Sequence, residues 1–533
     1  MNKDKNFISA IILTILIIFF YPMLMKKMFP DKFPDAIPQV SQETTSLQMG
    51  NKIIEPVVDI VSNYSKTKSY VLESQKYNIV VNSPGADIKS IDLSAIMDPA
   101  TNLPTILMDT LDRAEGIFST NQLLKDAELQ NVAVQADALE FTYKNKNNLL
   151  ISKQIIIDPD LYKINLNIAI TNNSDKDQVV PYQMVTSTGI TNAEGISARF
   201  RNVIALFNDQ KKFKKNPKGL KEKKIIQGNL KQGGLLTRYF ALIITPLTVA
   251  DYFYAENNDT GNLIGLGLND VLVPAGQTIR HKYVLYAGTN GHDDMSALNL
   301  GIEDVRGKGF FAGFSDLLIL LMRWMFVIFK NYGLAVIALA LTINLILYPL
   351  TYKSLKSMKE MQALQPIVEK LRADLKDKPE KLNKEIMEVY KKNKVNPAGG
   401  CLPMLLQMPI FFSLYGVLMR AIELRGANFL WIKDLAAPDA FIALPSKLPF
   451  LGDSLNLLPL VMVVVSFLQQ KMTNPGQTGN DQQKAMAMMM PIFLGFIFYN
   501  FPSGLVLYFL TNSLFSFIVQ MKLLKKFDSI AAA

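Results

Sequence analysis

YGLAVIALALTINLILYPLT, from Tyr332 to Thr351, is a run of twenty residues without a formal charge. At roughly 1.5 Å of rise per residue, such a helix crosses a hydrocarbon core of about 30 Å. This stretch makes the chain a membrane protein, and its neighbours set the architecture. Toward the C-terminus further apolar runs follow at Leu402–Ile422, Leu455–Gln470, Ala485–Tyr499 and Ser503–Val519. The last three are shorter than a full crossing prefers. Toward the N-terminus, Gly309–Lys330 is strongly apolar but holds Asp316, Arg323 and Lys330, with Arg323-Trp324 in mid-segment. That pattern suits an amphipathic helix lying in the interface with its Arg snorkelling; a true span is the competing reading. Far upstream, Phe7–Met25 is almost unbroken apolar sequence and leads through Tyr21-Pro22 to Lys26-Lys27. With no small-x-small cleavage site after it, it reads as an uncleaved anchor.

A long polar stretch separates the anchor from the other spans. Residues 30–69 are punctuated by Pro30, Pro34, Pro38 and Pro56, the composition of a linker. From 70 to 305, short β-type runs such as Ile151–Ile157 and Lys163–Ile170 alternate with turn signals such as Asp158-Pro159 and Asn172-Asn173. Many short strands at that spacing predict a β-sandwich. The expected organisation is therefore an anchor (1–29), linker (30–69), β domain (70–305) and interfacial helix (306–330). A second span (331–351) and a charged helical hairpin (352–400) follow. Then come a third span (402–422), an external loop (423–454), a fourth span (455–470), a short loop (471–484), a fifth-and-sixth-span hairpin (485–522) and a tail (523–533).

Charge orients these parts. The hairpin has a basic excess, and Lys471, Lys484, Lys522, Lys525 and Lys526 follow the same bias, whereas the loop from Arg425 to Asp453 is balanced. The positive-inside rule places hairpin, short loop and C-terminus in the cytoplasm; around the first span Lys26 and Lys27 offset Lys3 and Lys5, so the parity of the spans puts the β domain outside and the N-terminus inside. The net charge of +10 is accounted for by lysines beside spans, so nucleic acid is not an expected partner. In the hairpin, Leu355, Met358, Leu364, Val368 and Leu371 form one apolar helical stripe, and Leu382, Ile386 and Val389 form another. Two packed helices result, either a solvated spacer or a docking surface.

Enzyme chemistry has little to build on. Cys401 is the lone cysteine and His281 and His292 are the two histidines, which leaves no disulfide within the chain and no Cys-rich metal site. There is no G-x-x-x-x-G-K-[ST], H-E-x-x-H or G-x-S-x-G pattern. No cofactor or metal is expected. The informative residues are polar groups inside spans: Thr342 and Asn344, then Gln407 and Ser413, then Thr511 and Asn512. An unpartnered amide in hydrocarbon costs several kcal/mol, roughly 4–8 on a cyclohexane scale. These residues should therefore face one another as helix–helix glue or share a wet cavity. Methionines and aromatics gather on the third and fifth spans, where Met404, Met408, Phe411, Phe412, Met489, Phe493 and Phe496 offer adaptable apolar surface. Ordinary span filler is the competing reading for any one of them.

The order of several motifs is specific. Asn396-Pro397-Ala398-Gly399-Gly400-Cys401-Leu402-Pro403 followed by Gln407-Met408-Pro409-Ile410-Phe411 resembles the signature of the YidC membrane protein insertases. Tyr348-Pro349-Leu350-Thr351, Gln365-Pro366, Glu423-Leu424-Arg425 and Phe501-Pro502-Ser503-Gly504-Leu505 fall in the same family order. Before Gly309 the likeness is less distinct, resting on the anchor and Lys231-Gln232-Gly233-Gly234. The resemblance implies a bacterial inner-membrane protein with six transmembrane helices, a five-helix insertase core and a periplasmic β-supersandwich. It also implies insertion of nascent membrane proteins without nucleotide hydrolysis, alone or with the Sec translocon, through a hydrophilic groove. The ribosome would meet the hairpin, where Tyr352, Lys356, Lys359, Lys391 and Lys392 are the candidate contacts. In the family a positively charged residue, usually Arg, projects into the groove from the second span; counting back from Tyr348-Pro349-Leu350-Thr351, that position is Asn344 here. A solute transporter would instead carry an internal repeat, and none is visible. A carbohydrate-binding or carbohydrate-processing envelope protein would rest on the β-sandwich alone.

Overall fold

The computed structural model describes residues 68–532 except 84, 100, 111–114, 188–199, 221, 259–260, 307–311, 376–377, 394, 397–401, 449–451 and 474–480. The anchor Phe7–Met25 and nearly all of the linker lie outside the described residues.

Strands β1 to β4 (Ser69–Glu73, Tyr77–Asn82, Asp87–Met97, Pro104–Asp109) form one antiparallel sheet in chain order. They are followed by β5 (Ala127–Val134), β6 (Ala138–Asn145), β7 (Leu149–Ile157), β8 (Lys163–Asn172), β9 (Gln178–Ser187), β10 (Asn202–Phe207) and β11 (Lys212–Lys215). The set continues with β12 (Lys224–Gln227), β13 (Leu230–Leu236), β14 (Phe240–Pro246), β15 (Tyr252–Asn258), β16 (Gly261–Val273) and β17 (Thr278–Thr289). A nine-stranded sheet runs β11-β10-β13-β14-β17-β8-β7-β6-β5, and a third sheet runs β12-β15-β16-β9. The alternation read in the sequence sets the faces: Ile151, Ile155 and Ile157 on β7 and Ile164, Leu166 and Ile168 on β8 are all buried, with half-buried residues between them. One buried position breaks the apolar rule. Lys153 is fully buried on β7, where its ammonium donates to the carbonyls of Gly85 at 2.6 Å and Phe118 at 2.8 Å. Those two bonds tie the nine-stranded sheet to the loops flanking the first.

After a five-residue turn of 3-10 helix, Ile302–Arg306, the helical region begins. Its elements are α1 (Ala312–Phe329), α2 (Tyr332–Ala363), α3 (Gln365–Asp374), α4 (Pro379–Lys392), α5 (Leu402–Leu418), α6 (Leu457–Thr473), α7 (Asp481–Phe498) and α8 (Ser503–Ala532). A β-hairpin, β18 (Ile442–Leu448) and β19 (Gly452–Leu455), lies in the loop before α6. Asn331 caps α2 by accepting from the Leu334 N–H at 3.1 Å. The helix does not stop near Thr351; it continues through Pro349 for 32 residues, about 48 Å at roughly 1.5 Å per residue. Proline 349 has no N–H to give the preceding turn, and the helix tolerates that single lost bond. The second span and the first arm of the charged hairpin are thus one rod, and α3 starts with Pro366 in its first turn.

Among the described residues two helices are long and apolar enough to cross a membrane, Tyr332–Ala363 and Ser503–Leu524; Gln407–Leu418, Leu457–Lys471 and Met489–Phe498 are shorter apolar helices. The expected six membrane spans are therefore matched only in part, and the expected shortness of the later ones agrees with these lengths. Helix α8 packs against α2 and α6, α6 against α7, and α1 against α2 and α5. Arg323 on α1 is held by two carboxylates: it bridges Glu423, with nitrogen–oxygen distances of 2.9 and 2.6 Å, and also pairs with Asp293.

The β domain and the helical core are joined through arginines. Arg238, in the β13–β14 turn, donates to the carbonyls of Met419, just beyond α5, and of Ala436, in the loop before β18. Arg425 pairs with Asp98 at 2.9 Å, donates to the Thr105 hydroxyl at 3.2 Å and lies over the Phe240 ring. Its side chain is 7% exposed and that of Asp98 18%.

Candidate functional site

The polar residues of the spans divide into two kinds. Asn344 is half-buried on α2, and its amide donates to the Ala340 carbonyl of its own helix at 2.8 Å. Thr511, buried on α8, does the same to Leu507 at 2.8 Å. Back-bonding to the i−4 carbonyl lets a polar side chain sit in an apolar helix without a partner from another element. The other kind has no such relief. The amide nitrogen of Gln407 and the hydroxyl of Ser413, both on α5, are buried with no hydrogen-bond partner. So is the hydroxyl of Tyr508 on α8, which faces Gln407 without completing a bond of ordinary geometry. Thr342 and Asn512 are half-buried. Between α6 and α8 the hydroxyls of Ser466 and Ser513 stand 3.5 Å apart.

A cavity of about 350 Å³ opens between α2, α8 and the 429–432 loop. Ile337, Leu341, Phe429, Trp431, Leu510 and Thr511 are among its walls, whereas Thr342, Asn344, Gln407, Ser413 and Asn512 are not. It is an apolar recess, because the Thr511 hydroxyl is turned toward Leu507. The six polar candidates thus do not converge on this cavity. Gln407 instead belongs to the α5–α8 contact, beside Tyr508, and Ser413 is buried six residues further along α5.

The apolar candidates also separate. Met408 and Phe412 are exposed on α5, and Met489, Phe493 and Phe496 form an exposed stripe on α7 at helical spacing. Phe411 turns inward, packing against Phe412, Tyr415, Phe498 and Phe509 with centroid distances of 5.4 to 6.4 Å. It bridges α5 to α7 and α8 instead of presenting a free surface. The Met404 side chain lies outside the described residues. Exposure alone does not single out α5 and α7, since Leu345 and Ile346 on α2 and Val464 on α6 are equally open. Any helix that faces lipid would show this.

In the hairpin, Tyr352 and Lys359 are half-buried and Lys356, Lys391 and Lys392 exposed. Lys356 approaches Glu360 at 3.9 Å, and Lys391 and Lys392 occupy the last turn of α4, where cations suit the helix dipole. The His281 ring packs at a tilt against Tyr182 at 5.1 Å inside the β domain, and burial holds its pKa below the usual histidine range. Among the described residues no group of three His, Cys, Asp or Glu could hold a metal. Tyr508, Arg238 and the Arg425–Asp98 pair escaped sequence reasoning, because nothing in their local pattern marks a partner so distant in the chain.

Comparison with known proteins settles the lineage. Residues 324–529 match the family described as 60Kd inner membrane protein, and residues 69–321 match the YidC periplasmic domain. The chain is 30% identical over 550 residues to the membrane protein insertase YidC of Pelobacter propionicus, spanning 97% of this chain and 98% of that one. It is 34% identical over 411 residues to the YidC of Anaeromyxobacter dehalogenans strain 2CP-1, spanning 75% of this chain and 71% of that one. A crystal structure described as an active YidC insertase with its first transmembrane domain resolved aligns over 86% of this chain and 93% of that one, at 18% identity and a TM-score of 0.36. With both of its halves matched, the chain belongs to the YidC family of inner-membrane protein insertases, carrying the family's periplasmic β-rich domain.

Proposed function

We propose that this insertase passes the polar end of a nascent membrane protein along the α5–α8 contact while the apolar segment slides over α5 and α7 into lipid. The observation that supports this reading most is the trio of buried, unbonded polar atoms at Gln407, Ser413 and Tyr508. Leaving such groups dry costs about 1–3 kcal/mol each, so water or a passing polar chain is their natural partner. Short helices add to it. Helices α5 and α6 have 17 residues each, about 25 Å at roughly 1.5 Å per residue, so the bilayer beside them is thinned. A thinner, wetter path lowers the desolvation barrier for the polar end. The apolar segment then moves downhill at about 0.8 kcal/mol per buried CH₂, which is why no nucleotide is required.

In this reading both termini and the α2–α4 hairpin are cytoplasmic, and the hairpin receives the nascent chain from the ribosome or hands it on from the Sec translocon. Thr342, Asn344 and Asn512 keep the cytoplasmic approach polar, Thr511 lies deeper, and Met404, Met408, Phe412, Met489, Phe493 and Phe496 form the slide. Asn344 supplies a dipole where other members carry a cation, so long-range attraction of acidic tails is not this protein's means of capture. The test is complementation of an insertase-depleted strain, at equal protein level, by Asn344→Leu and by Gln407→Leu with Ser413→Ala. Impaired insertion is expected, stronger in the double variant. Full activity of the double variant overturns the route.

A further inference from the structure

Strand β11 is one edge of the nine-stranded sheet, and Lys212, Lys214 and Lys215 on it are all exposed while Phe213 packs toward Phe253. The pairing carries this edge to the membrane. Lys214 stands opposite Ile204 on β10, and β10 in turn pairs with β13, Asn202 opposite Leu236. Two residues beyond Leu236, Arg238 grips the carbonyl of Met419 where α5 ends. Arg420 is the next residue, and Arg306 closes the 302–306 turn that abuts β10. Cations thus collect at one corner. Burial and then the neighbouring Lys212 and Arg420 hold the Lys214 ammonium below its usual pKa, and Arg306 is lowered by burial and then by Arg420. Among the described residues, none of Lys212, Lys214, Lys215 and Arg420 has an ion-pair partner, and the Arg306 Nε is buried without a hydrogen bond. The nearby carboxylates do not neutralise the corner. Asp293 is held by Arg323, Asp209 by Lys211 and Asp304 by Lys231, which leaves Asp316 near Arg306 and Glu303 in the same turn, two carboxylates against five cations.

The level of this corner names its partner. Arg420 follows the short apolar helix α5 by two residues, and α1, which starts at Ala312 soon after Arg306, exposes Leu317, Leu320 and Trp324. The chain's other tryptophan, Trp431, is also on this side, packed edge-on against Phe441. Tryptophans of this kind mark the headgroup layer. Lys212 and Lys214 share one face of the strand at about 6.6 Å, so both can reach a plane of phosphates at once. We propose that β11, with Arg306 and Arg420, docks on the phosphates of anionic phospholipids in the periplasmic leaflet and so holds the β domain down against the bilayer.

The full chain in nanodiscs tests this by lysine acylation with a soluble reagent and mass spectrometry, using Lys144 near the opposite edge of the same sheet as the internal standard. In phosphatidylglycerol-containing discs, labelling of Lys212 and Lys214 relative to Lys144 should fall by on the order of tenfold compared with phosphatidylcholine discs. About 0.5 M NaCl should restore it, because the pairs are screened. In an Arg306→Gln, Arg420→Gln double variant, the protection should shrink to a few-fold while Lys144 labelling stays unchanged. Equal labelling in the two kinds of disc overturns the proposal. So does equal protection from inorganic phosphate added to phosphatidylcholine discs, which would assign the site to a soluble anion.

Discussion

Replacing Asp98 with Ala should loosen the β domain from the helical core. Asp98 lies at the end of β3 and Arg425 follows the third span, so their 2.9 Å bridge joins two units that fold around separate strands and helices. An exposed ion pair would contribute at most about 1 kcal/mol. This one differs because the Arg425 side chain is only 7% exposed. Removing the carboxylate strands a guanidinium that has little access to water, and such losses run to about 3–5 kcal/mol for a fully buried pair. Here the Thr105 hydroxyl and the Phe240 ring remain beside Arg425, so about 2–3 kcal/mol is the better figure. That corresponds to roughly a 30- to 150-fold shift toward the undocked arrangement. Hydrogen exchange of the full chain in detergent reads it directly. Amides of residues 104–109 and 426–436 should exchange faster by that factor, while those of β7 and β8 stay unchanged. Asp98→Asn, which keeps an acceptor but not the charge, should fall between. An acceleration below about threefold in Asp98→Ala would refute the reasoning, since it would place the bridge among screened surface contacts.

Gln407→Leu should leave the thermal stability of the core nearly unchanged, because water reaches the amide in the proposed route; a rise of about 1–3 kcal/mol in a detergent melting curve would show that the amide is dry. The Lys153 ammonium is pushed by burial down to about 7 from an ordinary 10.5, so the unfolded chain binds the extra proton between those values and stability rises with pH across that window. Protection of β7 amides, corrected for intrinsic exchange, should therefore grow by on the order of 2 kcal/mol from about pH 7 to 9, and Lys153→Met should flatten the slope. Gly333→Ala would place a methyl 2.2 Å from the Phe429 ring, whose backbone is fixed by a reciprocal pair of 2.9 Å bonds with Ile432. A loss of about 1–3 kcal/mol is expected in the same melting assay, and an unchanged transition would show that the loop yields.

What the sequence makes legible is what repeats at short range. The alternation of Ile151, Ile155 and Ile157 defines a buried strand face by itself, and it also announces Lys153 as an inward lysine. The uncharged run from Tyr332 defines a span in the same way. The end of that span is not legible, because the helix period passes through Thr351 unchanged and neither Pro349 nor the first hairpin lysines interrupt it. A basic excess marks which side of the membrane a segment prefers, not where a helix stops.

The site resisted for a different reason. A polar residue in an apolar run states a need for a partner without naming it. Asn344 and Thr511 meet that need four residues back, inside their own helices, whereas Gln407 and Ser413 are left with unmet polar atoms in a helix contact. All four look alike in sequence, yet only the second pair has a buried polar atom with no bond at all. Proline 409, inside α5 between Gln407 and Ser413, does not account for the difference, because a residue without an N–H frees the carbonyl four positions back instead of removing an acceptor. What separates the two pairs is whether the side chain turns back along its own helix, as Asn344 and Thr511 do, and neither residue type nor spacing in the sequence records that choice.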